Sequence, residues 1–170
     1  MNEVSSKRYL ALLAAGEAGR LDLEKARSLL NVSLTTLKKY LSALVKEGYL
    51  ERREDGYYVT TLGLKLANTI RNMKEGRDVS KYIVTDPSTG APIPLSFSGY
   101  KQLLAIIEAG LAPREVVEFH FQRYLLQWAK NSLGDELLEE LVNRGIVKTL
   151  DDLRKYLETM VEIREEMIKG

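Results

Sequence analysis

The sequence predicts a mainly α-helical protein. Residues 1–77 are expected to form three helices, a β-hairpin and a fourth helix, and residues 78–170 a helical domain that begins with a short β-hairpin or an ordered loop. Three observations predict this order. Leucines recur at helical spacing before residue 48, Asp55-Gly56 separates two strand-like runs, and helical spacing returns after residue 98.

The first three helices are predicted from apolar spacing and from residues that favour helix ends. The first covers about residues 7–18, where apolar residues recur at steps of three and four. Asp22 is expected to cap a second helix that reaches Leu30, and Ser33 to cap a third. Gly48 suits the left-handed residue that ends a helix, so the third helix stops before it.

The hairpin is predicted from two strand-like runs, residues 49–54 and 57–61, on either side of a tight turn. Asp55-Gly56 suits a two-residue turn because such turns require positive backbone angles. Thr60 is then expected to cap the fourth helix.

The C-terminal part follows a polar stretch at residues 75–80, which is predicted to be a linker or a helix end. Segment 81–97 holds three of the four prolines and is the predicted hairpin or ordered loop. Pro113 suits a first helical turn, and Ser98, Asp135 and Thr149 are candidate caps. The helices predicted there cover about residues 98–110, 113–132, 135–144 and 150–168.

Several stretches have the order and spacing of a known domain. Residues 23–30 match a supporting helix, 31–41 a turn and recognition helix, and 44–50 and 58–63 the two ends of a wing. Over about residues 7–75 the chain resembles the winged helix-turn-helix domains of bacterial and archaeal transcription regulators. The resemblance implies binding of double-stranded DNA through recognition helix 33–47 and wing 49–61, without a cofactor.

Polar residues on the recognition helix and the wing are the candidate DNA contacts. If Leu37, Leu41 and Leu44 face the core, hydroxyl and lysine side chains face outward, where they can meet phosphates or base edges. The candidates are Ser33, Thr35, Thr36, Lys38, Lys39, Ser42, Arg52 and Arg53. Residues 33–47 contain no Arg, Asn or Gln, so the sequence supports DNA binding more strongly than recognition of a particular base sequence.

The charge distribution agrees with this assignment. Residues 1–77 carry 14 Lys and Arg against 9 Asp and Glu, a net +5, and residues 78–170 carry 11 against 15, a net −4. A basic N-terminal half and an acidic C-terminal half predict that the N-terminal half meets a polyanion. Glu54 and Asp55, at the tip of the wing, would nevertheless repel phosphate.

The C-terminal half offers two interpretations of its apolar residues. The helix predicted at 113–132 is apolar over much of its circumference, so it must be buried in its own domain or against another chain. Its aromatic residues and their neighbours could instead line a pocket for an apolar small-molecule effector. That set comprises Phe97, Tyr100, Phe119, His120, Phe121, Tyr124 and Trp128.

The last helix carries apolar residues at alternating steps of three and four, interrupted at Arg164. This is the spacing of a coiled-coil seam and predicts a homodimer, although a helix packed on its own domain can have the same pattern. A dimer would double the phosphate contacts available to one small domain. The candidate dimerisation residues are Leu150, Leu153, Leu157, Met160 and Met167.

The sequence does not support catalysis or a metal site, so we expect a protein that is not an enzyme. It has no cysteine, its single histidine is His120, and its acidic pairs lack a second type of ligand. No apolar run is long enough to cross a bilayer, and the N-terminus lacks the order of a signal peptide. A cytoplasmic location is expected.

The sequence therefore favours a homodimeric, DNA-binding transcription regulator. Two alternatives stay open. One is a winged-helix module for protein–protein assembly, which the balanced charge and the missing base-reading side chains favour. The other is a DNA-organising or segregation protein with weak sequence preference.

Overall fold

The computed structural model describes residues 4–74 and 76–169. They group into two compact units: one contains the chain up to Arg71 and the segment from Glu162 onward, and the other is Asn72–Val161. In the predicted linker, Glu75 lies outside the described residues, and Gly76–Asp78 forms a 3₁₀ turn. The assignment of separate functions to residues 1–77 and 78–170 stays a prediction.

The first unit has the predicted order of three helices, a hairpin and a fourth helix, and the predicted fold class is confirmed. The two strands pair antiparallel, with Leu50 opposite Val59 and Arg53 opposite Gly56. The main elements are a 3₁₀ helix Ser6–Ala14, α1 Leu23–Leu30, α2 Leu34–Lys46, β1 Leu50–Arg53, β2 Gly56–Val59 and α3 Thr61–Asn72.

The first helix differs from its prediction in type and in length. It is a 3₁₀ helix and ends at Ala14 instead of residue 18. It stops there because Ala15 turns extended and forms an antiparallel bridge with Leu21. The N–H of Leu21 donates in turn to the carbonyl of Tyr57 at 2.8 Å, and Arg20 forms a bridge with Tyr58. The wing therefore has a third short extended segment beside β2.

The predicted caps of the first unit are confirmed by their hydrogen bonds. Asp22, Ser33 and Thr60 each accept, on a side-chain oxygen, the N–H of the residue three positions later, at distances of 3.0, 3.2 and 3.0 Å. Gly48 follows α2 with a φ of +86°, the left-handed conformation that glycine adopts without strain. These local signals fix where α1, α2 and α3 begin.

The core of the first unit is built from one face of each helix. Leucines at helical spacing point inward from α1, α2 and α3 and leave almost no exposed surface. The most deeply buried of them are Leu30, Leu37, Leu41, Leu44 and Leu66.

The second unit begins with a hairpin, which decides between the two alternatives predicted for residues 81–97. β3 pairs antiparallel with β4, and Tyr82 lies opposite Phe97. A continuous helix over residues 114–133 follows α4 and contains two π-helical turns, Phe121–Leu125 and Ala129–Leu133. The elements are β3 Tyr82–Thr85, β4 Pro92–Phe97, α4 Tyr100–Glu108, α5 Arg114–His120, α6 Leu126–Trp128, α7 Leu137–Asn143 and α8 Leu150–Lys169.

The candidate caps of the second unit have different outcomes. Thr149 caps α8: its hydroxyl accepts the N–H of Asp152 at 3.1 Å, and its own N–H donates back to the Asp152 carboxylate at 3.1 Å. The cap predicted at Ser98 is wrong, because Gly99 occupies that position. The N–H and hydroxyl of Ser98 donate instead to the Gln102 side chain.

Asp135 does more than the predicted capping. One carboxylate oxygen accepts the N–H groups of Leu137 and Leu138 at 2.8 and 3.1 Å. The other accepts the hydroxyl of Tyr156 at 2.6 Å and that of Tyr100. The carboxylate is buried and hydrogen-bonded on both oxygens, which offsets the cost of its desolvation. It thereby joins α4, α7 and α8.

The seam predicted on α8 is covered by the chain itself. Leu153, Leu157 and Met160 are buried, Leu150 is half-buried, and Met167 is exposed. A helix that packs on its own domain and a helix that packs on a second copy have the same spacing of three and four residues. Here the three central residues pack within their own chain. They have no free surface to offer a partner, so the seam assignment is corrected. Dimerisation itself stays a prediction.

No helix within residues 4–74 and 76–169 has both the length and the apolar character needed to cross a membrane.

Replacement of Gly63 by alanine tests the close approach of α3 to the wing. An added Cβ would lie 2.1 Å from the carbonyl oxygen of Tyr49. Alanine favours a helix by about 1 kcal/mol over glycine, but this clash is with backbone and cannot be relieved by a rotamer change. We expect Gly63→Ala to lower the free energy of unfolding by about 2–3 kcal/mol in urea titrations.

Gly16→Ala is the matched control, since its Cβ would lie 3.7 Å from the nearest atom and its φ is −95°. It should change stability by about 0.5 kcal/mol or less. Equal effects of the two substitutions would contradict the proposed close contact.

Candidate nucleic-acid interface

The outward face of α2 carries the candidate residues predicted for the recognition helix. Leu37, Leu41 and Leu44 point into the core, as expected. Of the polar candidates on and before α2, Thr36 is half-buried and the others are exposed, namely Ser33, Thr35, Lys38, Lys39 and Ser42.

Two of the three hydroxyls at the start of α2 are engaged within the helix end itself. The Ser33 hydroxyl oxygen accepts the N–H of Thr36 and lies 3.1 Å from the Thr36 hydroxyl, to which it donates. A phosphate or base edge would have to compete with these bonds. Thr35 is exposed and is the better placed of the three to meet a ligand.

The turn of the wing is displaced by one residue from its prediction. Glu54 and Asp55 form the turn between Arg53 and Gly56, which are paired, whereas Asp55-Gly56 was expected. Among the described residues, Ala18 and Asn31 are the non-glycine residues with positive φ. Glu54 and Asp55 therefore form the turn without a positive φ. Gly56, with a φ of +145°, occupies the first position of β2 instead. The positive φ that glycine allows is therefore found in the residue that follows the turn, and not in the turn itself.

Arg52 and Arg53, predicted to act as a pair, point to opposite faces of the hairpin. Arg52 lies opposite Tyr57 in the antiparallel register, and its guanidinium is 5.8 Å from that ring. The Arg53 guanidinium lies 4.1 Å from the ring of Tyr58 and 3.2 Å from the carboxylate of Glu51. Successive side chains of a strand alternate between faces, so the structure does not bring the two arginines together.

Arg20, which the sequence did not single out, reaches the tip of the wing. Its guanidinium donates to the carbonyl of Asp55 at 2.6 Å. The Tyr58 hydroxyl donates to the Asp55 carboxylate, also at 2.6 Å, and this hydrogen bond is the main cause that lowers the pKa of Asp55. Two hydrogen bonds to Asp55 therefore hold the tip of the wing, and the tip keeps a negative charge.

A groove runs between α2 and the wing and has a volume of about 610 Å³. We call it the α2–wing groove. Lys38, Lys46 and Arg52 supply its positive charge, and none of the residues that line it is acidic. The remaining lining is mostly apolar and consists of Leu23, Leu34, Leu37, Leu41, Ser42, Val45 and Tyr57.

The groove sorts the sequence-predicted residues into two groups. Lys38, Ser42 and Arg52 line it. The other predicted residues do not, namely Ser33, Thr35, Thr36, Lys39 and Arg53. Sequence reasoning missed Lys46 and Leu34. Lys46 could have been found, because it lies eight residues after Lys38 and four after Ser42, on the same side of the helix. Leu34 has the spacing of a core residue, yet 45% of its surface is exposed.

The aromatic residues of the second unit are divided between a core and a second, shallow groove of about 620 Å³. Tyr124, His120 and Trp128 are among its lining residues, and Phe97, Tyr100 and Phe121 are buried. The ring of His120 is held on both sides: its Nδ1 lies 2.5 Å from the Tyr82 hydroxyl and its Nε2 lies 2.9 Å from the Thr85 carbonyl oxygen. His120 is therefore buried and hydrogen-bonded, although it also contributes to the lining of this groove.

The comparisons with known proteins agree with the geometry of the first unit. Residues 23–78 match the sequence model of a family described as winged helix-turn-helix. The match begins at the first residue of α1 and ends just after α3, so it includes α2, the wing and the groove between them. Searches of curated proteins and of solved structures found no significant match to the chain.

The hydrogen bond at the wing tip predicts the titration of Asp55. Loss of the Tyr58 hydroxyl removes a donor that stabilises the charged carboxylate, so the pKa of Asp55 should rise in Tyr58→Phe. Carboxyl carbon shifts followed against pH by NMR would measure it. Tyr57→Phe, altered on the other face of the hairpin, should leave the titration of Asp55 unchanged. An unchanged midpoint in Tyr58→Phe would contradict the contact.

Proposed function

We propose that this protein, whose residues 23–78 form a winged helix-turn-helix domain, is a transcription regulator of a bacterial or archaeal cell that binds double-stranded DNA. The observation that carries the proposal is the α2–wing groove, which has three cationic side chains and no acidic one among its lining residues. A phosphate backbone is the polyanion that a helix and a wing of this arrangement fit.

In this proposal the start of α2 contacts base edges, and the α2–wing groove contacts the phosphate backbone. A helix fits the major groove and reaches base edges with its N-terminal residues. The backbone beside that groove would then follow the α2–wing groove, where Lys38, Lys46 and Arg52 can each pair with a phosphate. Lysine holds a phosphate as a point charge without selecting a base, so these contacts supply affinity.

The two arginines of the wing contribute unequally in this proposal. Arg52 faces the groove and stacks near Tyr57, so its charge is available to phosphate. Arg53 is paired with Glu51, and the carboxylate of Asp55 lies close by at the tip. Contact by the tip of the wing would bring acidic groups to the backbone, so the side of the wing that faces α2 is the favoured contact.

The mechanism is occupancy of a promoter or operator, without a catalytic step, in the cytoplasm where the DNA of such a cell lies. The groove's apolar lining favours a second candidate, a winged-helix module that binds another protein, because buried apolar area stabilises protein contacts more than DNA contacts. A DNA-organising protein with weak sequence preference lies between the two. The response of affinity to salt separates them.

Removal of the two groove lysines tests DNA binding. We expect Lys38→Ala with Lys46→Ala to weaken binding to mixed genomic DNA and to make the dependence of log affinity on log salt shallower by about one to two units. Both side chains are exposed, so thermal stability should be retained. Fluorescence anisotropy at several salt concentrations measures both quantities.

The matched control is Lys101→Ala with Lys155→Ala, which removes the same charge from exposed lysines outside the matched domain. It should leave the slope unchanged. If both double variants lower affinity equally, net charge and not the groove binds the DNA. If the unaltered protein does not bind DNA, the protein-assembly candidate replaces the regulator.

We also propose that the regulator is a homodimer. The central residues predicted for its seam are buried, so the contact has to use exposed apolar residues. In the first unit Leu29 on α1 and Met167 and Ile168 at the end of α8 are exposed, Ile168 by 74%. Association that buries these side chains is favourable by about 1.5–3 kcal/mol for each one that becomes fully covered.

Light scattering tests this contact. The unaltered protein should have the mass of a dimer at micromolar concentration, and Met167→Asp with Ile168→Asp should have the mass of a monomer. Leu64→Asp is the control, since Leu64 is an exposed apolar residue of the same domain on α3. A monomeric unaltered protein would contradict the dimer and leave the proposed DNA contacts to be judged by the salt experiment.

A further inference from the structure

The start of α2 exposes an apolar side chain where a recognition helix would meet base edges. Leu34 is the first residue of α2, and 45% of its surface is exposed. Of the α2 residues that line the α2–wing groove, Leu34 lies closest to the N-terminus of the helix, four residues before Lys38. Part of the Leu34 side chain is not packed in the core. That exposed part is available to a ligand.

The polar neighbours of Leu34 select bases poorly. Thr35 carries a hydroxyl, which both donates and accepts and therefore tolerates either type of base edge. Lys38 and Lys39 carry point charges. Arginine, asparagine and glutamine, whose forked groups recognise guanine or adenine by two hydrogen bonds, are absent from residues 33–47. Apolar contact is thus the discriminating interaction that this helix end offers.

Among the groups that the standard base pairs present on the floor of the major groove, one is apolar, the C5 methyl group of thymine. We propose that Leu34 recognises C5 methyl groups in the major groove, so that the protein prefers duplexes rich in thymine. This inference rests on the proposed function, because it needs α2 to enter the major groove.

The size of the preference follows from the area that a methyl group buries. One methyl removed from water against leucine should increase affinity about fourfold, the effect of one buried methylene-sized group. Two contacts in a dimer would multiply to more than tenfold. Such a preference is smaller than the one that an arginine with two hydrogen bonds to guanine provides. A small preference is what we expect of a recognition helix without arginine.

Two alternating copolymers isolate the methyl group. Poly(dA-dT) and poly(dA-dU) present the same hydrogen-bonding groups and differ by the C5 methyl. The full-length protein should bind poly(dA-dT) about fourfold or more tightly than poly(dA-dU) in anisotropy competition. Leu34→Ala should bind the two copolymers equally. Leu64→Ala is the matched control, a leucine 53% exposed on α3 and outside the groove, and should retain the preference.

A second measurement uses the unaltered protein and needs no variant to fold. A mixed-sequence duplex in which every cytosine is replaced by 5-methylcytosine adds methyl groups at the same place in the major groove. The unaltered protein should bind the methylated duplex more tightly than the unmethylated one, and equal binding to the two duplexes would overturn the inference.

The outcomes separate this inference from the proposed function. Equal binding of the unaltered protein to both copolymers would overturn the inference while leaving DNA binding intact. A preference that survives in Leu34→Ala would overturn the assignment to Leu34. Absence of binding to every duplex would overturn the proposed function, and the inference with it.

Discussion

Thr60 holds the wing in place, and the α2–wing groove depends on it. Its hydroxyl donates to the carbonyl of Gly48 at 2.6 Å and accepts the N–H of Gly63 at 3.0 Å. Its own N–H donates to the carbonyl of Tyr49 at 3.2 Å. Thr60 thus joins the end of β2 to the segment that precedes β1. It also caps the start of α3. Because α2 ends just before Gly48, this junction sets the distance between α2 and the wing.

The C-terminal end of α2 is anchored a second time. Glu47 accepts the guanidinium of Arg8 at 2.7 Å on one oxygen and the hydroxyl of Tyr9 at 2.5 Å on the other. Burial is the main cause that raises the pKa of Tyr9, so this hydroxyl stays protonated and continues to donate. At the N-terminal end of the same helix, Leu34 and Thr35 are exposed. The exposed end is the one that the proposal places in the major groove.

What the sequence predicted well depended on local signals. The caps at Asp22, Ser33 and Thr60 were predictable because each accepts an N–H three residues away. The wing turn was misplaced by one residue because Gly56 is needed beside the turn, a distinction that depends on strand register. The α8 seam and the exposure of Leu34 were not predictable, since helical spacing identifies an apolar face but not what covers it. The separation of Arg52 from Arg53 follows from alternation along a strand and could have been predicted.

The proposed interface would have different sources of affinity and of selectivity. Phosphates are the same at every base pair, so in the proposed interface Lys38, Lys46 and Arg52 would bind any duplex, with an affinity that falls as salt rises. In that proposal, selectivity would come from the few side chains at the start of α2, where apolar contact would discriminate between bases more than hydrogen bonding does. A sequence-preferring regulator and a weakly selective DNA-organising protein are therefore two ends of one physical scale. If the proposed contacts form, the position on that scale would be set by how many methyl groups the exposed leucines cover for each phosphate that the groove neutralises.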